Sequence, residues 1–179
     1  MPIHRAGVGS SVSATEIEAD VRKLEFIDSG SGNTAETGTF QDIGTISISA
    51  GDLANDDILI VELEGHNTDN TTYRAYCYLD VDDGTNNATV IFGTSTTGLD
   101  DEAWKVEARI GTSPAVANNA GLLAGASGSR VDGNEKGGGC TASMINNFMT
   151  QDLTITIKGR ANGGGTAYYK WKAYRLVGS

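Results

Sequence analysis

Side chains that could catalyse a reaction are few in this sequence. The two histidines, His4 and His66, lie far apart in the chain, and no His-Glu-x-x-His or Gly-x-Ser-x-Gly pattern is present. Without a neighbouring base, neither a serine nor the Cys77 thiol has a route to activation as a nucleophile. Carboxylates are plentiful, but a glycosidase-like pair must lie about 5–10 Å apart across a cleft, which a sequence does not reveal. We expect a protein that is not an enzyme, with a β-sandwich hydrolase as an alternative.

The best candidate for a metal site is the acidic segment Asp80-Val-Asp82-Asp83-Gly84-Thr-Asn86. Clustered carboxylates suit calcium, although the spacing departs from the EF-hand pattern. Aspartate and asparagine are also the ordinary residues of turns, and we favour a turn here. Calcium binding by Asp80, Asp82 and Asp83 stays open. The glycine-rich stretches lack the Gly-Lys-Ser/Thr of a phosphate loop, and no cofactor is expected.

Basic and aromatic side chains are concentrated in the last thirty residues. Residues 150–179 hold five Lys and Arg against one Asp, whereas residues 1–149 hold 8 against 22 Asp and Glu, and the net charge is −10. Two alternating segments, 152–161 and 166–177, are predicted to form a β-hairpin around a turn at 163–165. Its outward face is the candidate interaction surface: Lys158, Arg160, Tyr168, Lys170, Lys172 and Tyr174.

The register of this predicted hairpin follows from its lysines. Residues 153, 155 and 157 should share a face with residues 169, 171 and 173, because a one-residue slip would bury Lys170 and Lys172. The basic face suits contact with the acidic surface of a neighbouring copy. Alternatively, its lysines protect an exposed sheet edge from aggregation. Nucleic acid is not expected as a partner, because a chain of charge −10 repels phosphates.

The elements that must position this surface are predicted to be strands. The chain has 24 glycines and two prolines and is rich in Thr, Ser, Asn and Asp, which favours strands and turns. Residues 29–39 and 111–139 are predicted to be loops, the longer one a functional loop or an interaction loop. Gly44 is a candidate β-bulge. We predict an all-β, jelly-roll-like antiparallel β-sandwich of about nine or ten strands. The further predicted strands are 21–28, 43–48, 57–65, 72–81, 88–93, 103–110 and 140–145.

The length of 179 residues suits a single domain, 21–179, preceded by an N-terminal arm, 1–20. Cys77 falls on the apolar face of a predicted strand, so we expect a buried thiol, and its pairing with Cys140 stays open. No apolar run is long enough to span a membrane, and residues 1–10 lack the apolar segment of a signal peptide. Synthesis in the cytoplasm, without a membrane partner, is the expectation.

Residues 40–59, Phe-Gln-Asp-Ile-Gly-Thr-Ile-Ser-Ile-Ser-Ala-Gly-Asp-Leu-Ala-Asn-Asp-Asp-Ile-Leu, resemble small jelly-roll structural proteins of tailed bacteriophages. In those chains an Ile-Gly-Thr-Ile-x-Ile-x-Ala strand leads through a polar turn into an apolar strand. The closing segment Trp171-Lys-Ala-Tyr-Arg-Leu176 is similar in kind. The segment 111–139 and the absence of fibre repeats or a coiled-coil stalk depart from that group.

The resemblance implies a virion structural protein made in the host cytoplasm. It favours a capsid-decorating subunit that forms a homo-oligomer, with a trimer preferred, and binds other virion proteins such as a major capsid protein. A tail or spike component is the alternative within the same class. From the residues themselves, a carbohydrate-binding or adhesive sandwich is a second class, in which Tyr168, Trp171 or Tyr174 would line a sugar platform.

Overall fold

The computed structural model describes residues 23–35, 38–54, 57–67, 74–85, 87–92, 99–100, 104–112, 122–130, 135–137, 139–141, 150–162 and 166–178. The predicted arm, 1–20, and the glycines at 163–165 lie outside the described residues. No helix that could cross a membrane occurs within these ranges. The described strands are β1 (Leu24–Thr34), β2 (Gln41–Ile48), β3 (Ile58–Asn67), β4 (Arg74–Asp82), β5 (Asn87–Phe92), β6 (Leu99–Asp100), β7 (Trp104–Thr112), β8 (Leu122–Arg130), β9 (Glu135–Gly137), β10 (Gly139–Thr141), β11 (Leu153–Asn162) and β12 (Ala167–Leu176).

The strands form two antiparallel sheets. Sheet A has the order β1-β12-β3-β7-β8-β9, and sheet B has the order β10-β5-β4-β11-β2 with β6 beside β4. Four strands of sheet A follow the order β1-β12-β3-β7, and four strands of sheet B follow the order β2-β11-β4-β5. The first strand of the chain, β1, thus pairs with the last, β12, and the second, β2, pairs with the next to last, β11. This is the strand order of a jelly roll. The predicted all-β, jelly-roll-like sandwich is confirmed.

The core lies between the two sheets and follows directly from period-2 alternation. On β11 the odd-numbered residues from Leu153 to Ile157 are buried, while the residues between them are partly exposed. On β7, Val106, Ala108 and Ile110 are buried in the same way. Successive side chains on a strand point to opposite faces, so each alternating segment supplies one face to the core. Sheet A contributes Leu59, Val61, Leu63, Tyr169, Trp171 and Ala173, and sheet B contributes Ile46, Ile48, Cys77, Leu79 and Val81.

The predicted C-terminal hairpin is wrong. Strand β11 pairs with β2 and β4 in sheet B, whereas β12 pairs with β1 and β3 in sheet A. The chain therefore crosses from one sheet to the other between them. The inward residues are nevertheless those expected, since Ile155 and Ile157 are buried, as are Tyr169 and Ala173. They face each other across the core and are not neighbours on one sheet.

Both predicted loops contain strand. Strand β1 continues through the Gly/Ser segment as far as Thr34, paired with β12 as far as Ala167. In the segment 111–139, β8 pairs antiparallel with β7 along its whole length, from Leu122 opposite Thr112 to Arg130 opposite Trp104. Glycine, serine and alanine have weak strand preferences, but a neighbouring strand that satisfies their backbone groups outweighs them.

Glycines make room for the largest buried ring at one side of the sandwich. The β2–β11 register shifts beside Gly44, as predicted for a bulge there. The Trp171 indole packs against Gly44 of sheet B and against Gly30 of sheet A. A Cβ added to Gly30 would lie 2.1 Å from the Trp171 ring, and one added to Gly44 would lie 2.3 Å from it. Only a residue without a side chain fits on either side of this ring.

A buried carboxylate ties the C-terminus to the turn between β2 and β3. Asp57 is 2% exposed. Its oxygens accept hydrogen bonds from the Ala54 and Gly178 backbone N–H groups, each 2.8 Å long, and Arg175 Nε lies 3.7 Å away. Together these contacts satisfy the carboxylate inside the protein, as a buried charge requires.

Cys77 is a free, buried thiol in β4. This confirms the sequence prediction of a small apolar core residue, and it leaves Cys77 without a disulfide to Cys140. Burial raises the pKa of the Cys77 thiol far above its ordinary value, because the desolvated thiolate is disfavoured.

Candidate interaction surfaces

The six residues predicted to form one interaction surface lie on opposite sides of the molecule. Lys158 and Arg160 belong to the outer face of sheet B, whereas the other four belong to the outer face of sheet A. All six point away from the core, as predicted. They do not form a single basic face, because β11 and β12 belong to different sheets. The residues on sheet A are Tyr168, Lys170, Lys172 and Tyr174.

The middle of the outer face of sheet A is a polar groove of about 380 Å³. Strand β1 contributes Ser29 and Ser31, and β12 contributes Lys170 and Lys172 directly opposite them in the register. On the far side of β12, β3 contributes Glu62 and Glu64, and β7 contributes Lys105. We call these seven side chains the polar groove.

Charges within the polar groove are only partly paired. Lys105 Nζ lies 3.1 Å from Glu62 Oε1. Lys170 and Lys172 make no ion pair with any residue in the described ranges, although Glu64 and Glu62 are their cross-strand neighbours. The groove therefore presents two cations beside two hydroxyls along β1 and β12.

One end of the groove is bordered by two stacked rings. Tyr168 and His66 are cross-strand neighbours whose rings are 5.1 Å apart and inclined by 11°. Tyr168 is 40% exposed and His66 is exposed as well. His66 lies next to the last residue of β3. We call this pair the aromatic shelf.

At the opposite end, the outer face of sheet A is apolar. Leu24, Leu176 and Ile58 form one cross-strand row over β1, β12 and β3. Phe26, Tyr174 and Ile60 form the adjacent row. Leu24 is 54% exposed and Phe26 is 62% exposed. We call the two rows the apolar patch: Leu24, Leu176 and Ile58, then Phe26, Tyr174 and Ile60.

The apolar patch lies at the boundary of the sheet. Within the described residues, strand β1 pairs with β12 and is one of the two edge strands of sheet A. Phe26 and Tyr174 pack edge to face, with centroids 6.0 Å apart and rings inclined by 74°. Their surfaces therefore form one continuous apolar area beside a strand that pairs on one side only among the described residues.

On the outer face of sheet B, Arg160 lies between two aromatic rings. Its guanidinium carbon is 4.7 Å from the Phe40 ring centroid and 4.4 Å from that of Tyr76. Phe40 also packs edge to face on Tyr78 at 4.7 Å. Such contacts stabilise an arginine through the negative faces of the rings. They occupy the Arg160 side chain within the protein.

Lys158, next on this face, is held by carboxylates. Its Nζ lies 3.0 Å from Asp42 Oδ1 and 3.7 Å from Asp80 Oδ2. The hydrogen bond to Asp42 raises the pKa of Lys158 above its ordinary value of 10.5. Lys158 and Arg160 thus have partners in the fold, unlike Lys170 and Lys172.

The carboxylates of the candidate calcium segment accept hydrogen bonds from their own turn. Asp82 Oδ1 accepts from the Gly84 N–H at 2.6 Å, and Asp83 Oδ1 accepts from the Thr85 N–H at 2.8 Å. Asp80 Oδ1 accepts from Asn87 Nδ2 at 2.5 Å. These are the local bonds by which aspartates shape turns. Within the described ranges, no group of three His, Cys, Asp or Glu is arranged to hold a metal ion.

Tyr168, Trp171 and Tyr174, each a candidate for lining a sugar platform, do not lie together on the surface. Trp171 is only 8% exposed and lies between the sheets. Tyr168 and Tyr174 are six positions apart on β12, which corresponds to about 20 Å at the rise of a strand. One tyrosine belongs to the aromatic shelf and the other to the apolar patch.

The apolar patch was not predicted from the sequence. A register shift between Phe26 and Asp28 interrupts the alternation of β1, so the pattern 21–28 does not show which apolar side chains face the core. The signal that was available is local: Leu24 and Phe26 alternate with Lys23 and Glu25. Large apolar side chains that alternate with charged ones and lie together outside the core are typical of a surface that another molecule covers.

Comparison with known proteins gives no family. No protein-family model matches the sequence, and no curated protein is similar to it. Among solved structures, the CBM2 module of the evolved Dit protein of Lactobacillus casei BL23 phage J-1 aligns with 88% of this chain and 98% of its own, at 10% identity and a TM-score of 0.41. A mutant of the alginate lyase Aly36B bound to an alginate trisaccharide aligns with 93% of this chain and 92% of its own, at 9% identity and a TM-score of 0.40.

A virus particle is also among the similar structures. That of infectious bursal disease virus, Gx strain, aligns with 89% of this chain and 43% of the viral chain, at 10% identity and a TM-score of 0.23. Likenesses this distant carry no argument about activity. The strand pairing of the two sheets defines the jelly roll without them.

Proposed function

We propose that this protein is a virion structural subunit that acts by binding copies of itself and a capsid shell, without catalysing a reaction. Capsid decoration is the form of this role that we favour over a tail or spike component. The resemblance of residues 40–59 to phage jelly-roll proteins supports the virion assignment. That segment folds as β2, a turn and β3, in agreement with the strand–turn–strand pattern of the resemblance.

The observation that carries the association is the apolar patch. Large apolar side chains that are more than half exposed, and that lie together, mark surfaces that other proteins cover. Leu24 and Phe26 meet this description, and they belong to an edge strand of sheet A. An edge strand also offers unpaired backbone groups to a neighbour. Both features favour a partner at this side of the molecule.

In a cyclic trimer, which the resemblance favours, each copy presents one surface to the next and receives a different one. Burial of the apolar patch against a neighbouring copy would supply affinity to such an assembly.

Sedimentation or light scattering after size exclusion tests the association. We expect the purified chain to form a homo-oligomer that the double substitution Leu24→Ser/Phe26→Ser converts to a monomer. Both side chains are exposed in the single chain, so the variant should keep its fold by circular dichroism. Tyr168→Ser, at the other end of β12, is the matched control and should leave the oligomer intact. A strict monomer at high concentration, or an oligomer indifferent to the double substitution, would contradict the proposal.

The location of the protein in the virus particle requires a separate test. An antibody against the purified protein should label the shell of purified virions at many symmetric positions. Label confined to the tail would replace capsid decoration with the tail or spike alternative. Virions without any label would remove the structural role.

A further inference from the structure

The shape of the polar groove is produced by its residue sizes. Ser29 and Ser31 on β1 are short, and they lie directly opposite the long side chains of Lys170 and Lys172. The groove continues over β3 and β7. Four strands at a spacing of about 4.8 Å give the groove a width of about 14 Å across the sheet, and the aromatic shelf borders it in the direction along the strands.

The charges of the polar groove suit a negatively charged ligand. Lys170 and Lys172 make no ion pair with a residue of the described ranges, and the β1 side chains beside them are neutral. Lysines in such a position donate charge-assisted hydrogen bonds to carboxylates. The rest of the protein is acidic, so this pair is a local exception to its charge.

The acidic side of the groove narrows the choice of anion. Glu62 and Glu64 line the groove on β3, next to the lysines. Their carboxylates accept hydrogen bonds from hydroxyl donors and repel a dense row of phosphates. A nucleic acid backbone therefore fits poorly. A molecule that carries isolated negative groups among many hydroxyls fits both the lysines of β12 and the glutamates of β3.

The aromatic shelf adds an apolar contact at one end. Tyr168 and His66 follow Lys170 and Glu64 along the same face, and they present stacked rings at 5.1 Å. An aromatic surface beside polar side chains is suited to a ligand with one apolar and several polar faces. A sugar ring has this character.

We propose that the polar groove and the aromatic shelf bind a short acidic oligosaccharide, with carboxylates on Lys170 and Lys172 and hydroxyls on Glu62 and Glu64. The binding site is separate from the apolar patch. It therefore stands whether or not the chain assembles into a virion. In a particle that displays many copies, weak single sites would combine into firm attachment to a polysaccharide surface.

Calorimetric titration of the full chain with trigalacturonate at low salt tests this. Maltotriose serves as the neutral sugar and oligo-dT as the phosphate polyanion. We expect trigalacturonate to bind and the other two to bind at least tenfold more weakly. The variant Lys170→Gln/Lys172→Gln should lower the affinity for trigalacturonate by about tenfold, as expected for the loss of two exposed ion pairs. The variant Lys23→Gln/Lys158→Gln removes the same charge elsewhere and should bind like the parent.

A second pair of variants separates the shelf from general charge effects. Tyr168→Leu should weaken binding, whereas Tyr174→Leu, on the same strand but in the apolar patch, should not. Circular dichroism confirms that each variant is folded. The proposal is overturned if trigalacturonate does not bind, if oligo-dT binds equally well, or if the two lysine variants lose affinity alike. Equal binding of maltotriose would overturn the assignment to an acidic sugar.

Discussion

The fit of Trp171 between two glycines predicts a large cost for one added methyl group. In Gly30→Ala the new Cβ would lie 2.1 Å from the indole ring, well inside contact distance. The ring cannot retreat toward sheet B, because Gly44 already lies against it there. Overpacking of this kind costs about 1–3 kcal/mol of unfolding free energy. For a domain of this size, that corresponds to a fall in Tm of roughly 2–12 °C.

Urea denaturation followed by far-ultraviolet circular dichroism measures this cost. Ser31→Ala, on the same strand but facing outward, is the matched control and should change the free energy by no more than about 0.5 kcal/mol. A double-mutant cycle then identifies the clash. In a Trp171→Leu background the added methyl has room, so Gly30→Ala should cost at least about 1 kcal/mol less than it does alone.

Two results would refute this reasoning. If Gly30→Ala is as mild as Ser31→Ala, the ring is not confined as the structure places it. If the costs of Gly30→Ala and Trp171→Leu simply add, the methyl clashes with something other than the indole.

Two further predictions concern ionisable groups. A hydrogen bond from Lys23 and contact with Arg175 hold the pKa of Glu25 below its ordinary value of 4.5, so its contribution to stability is present above pH 4.5 and lost as the pH falls through the lowered pKa. Urea titrations across that range should show that Glu25→Gln is less stable than the parent at neutral pH and equal to it in strong acid; an unchanged difference would contradict this. Because Cys77 is buried and the pKa of its thiol is raised, a Cys140→Ser variant should react with a thiol reagent only slowly until urea unfolds it. Immediate reaction of the native protein would be inconsistent with a buried thiol.

Alternation along the strands allowed most of the core to be predicted. Val106, Ala108 and Ile110 are inward because period-2 patterning is a local property of the sequence. The same pattern does not specify the neighbouring strand. Residues such as Ile157 and Tyr169 are inward both in a hairpin and in two facing sheets, so the C-terminal strands were paired wrongly.

The interaction surfaces were predictable only residue by residue. Lys158 and Lys170 point outward because the residues on either side of each in the sequence point into the core. The two lysines lie on opposite faces of the molecule because their strands belong to different sheets, and this depends on long-range strand pairing. The polar groove joins Ser29 to Lys172, which are distant in sequence and adjacent in the register. Ser29 was assigned to a loop, because serine and glycine give no strand signal of their own.

The position of the last two strands has a consequence for how the chain is made. Strand β12 lies between β1 and β3, and β11 lies between β2 and β4, so each sheet lacks an interior member until the C-terminus is available. Leu24 finds its partner only at Leu176. On the ribosome, the two sheets of the nascent polypeptide stay incomplete until β11 and β12 have been synthesised. Native structure then arises in one late closure, and a premature stop codon before β11 would yield no partial domain.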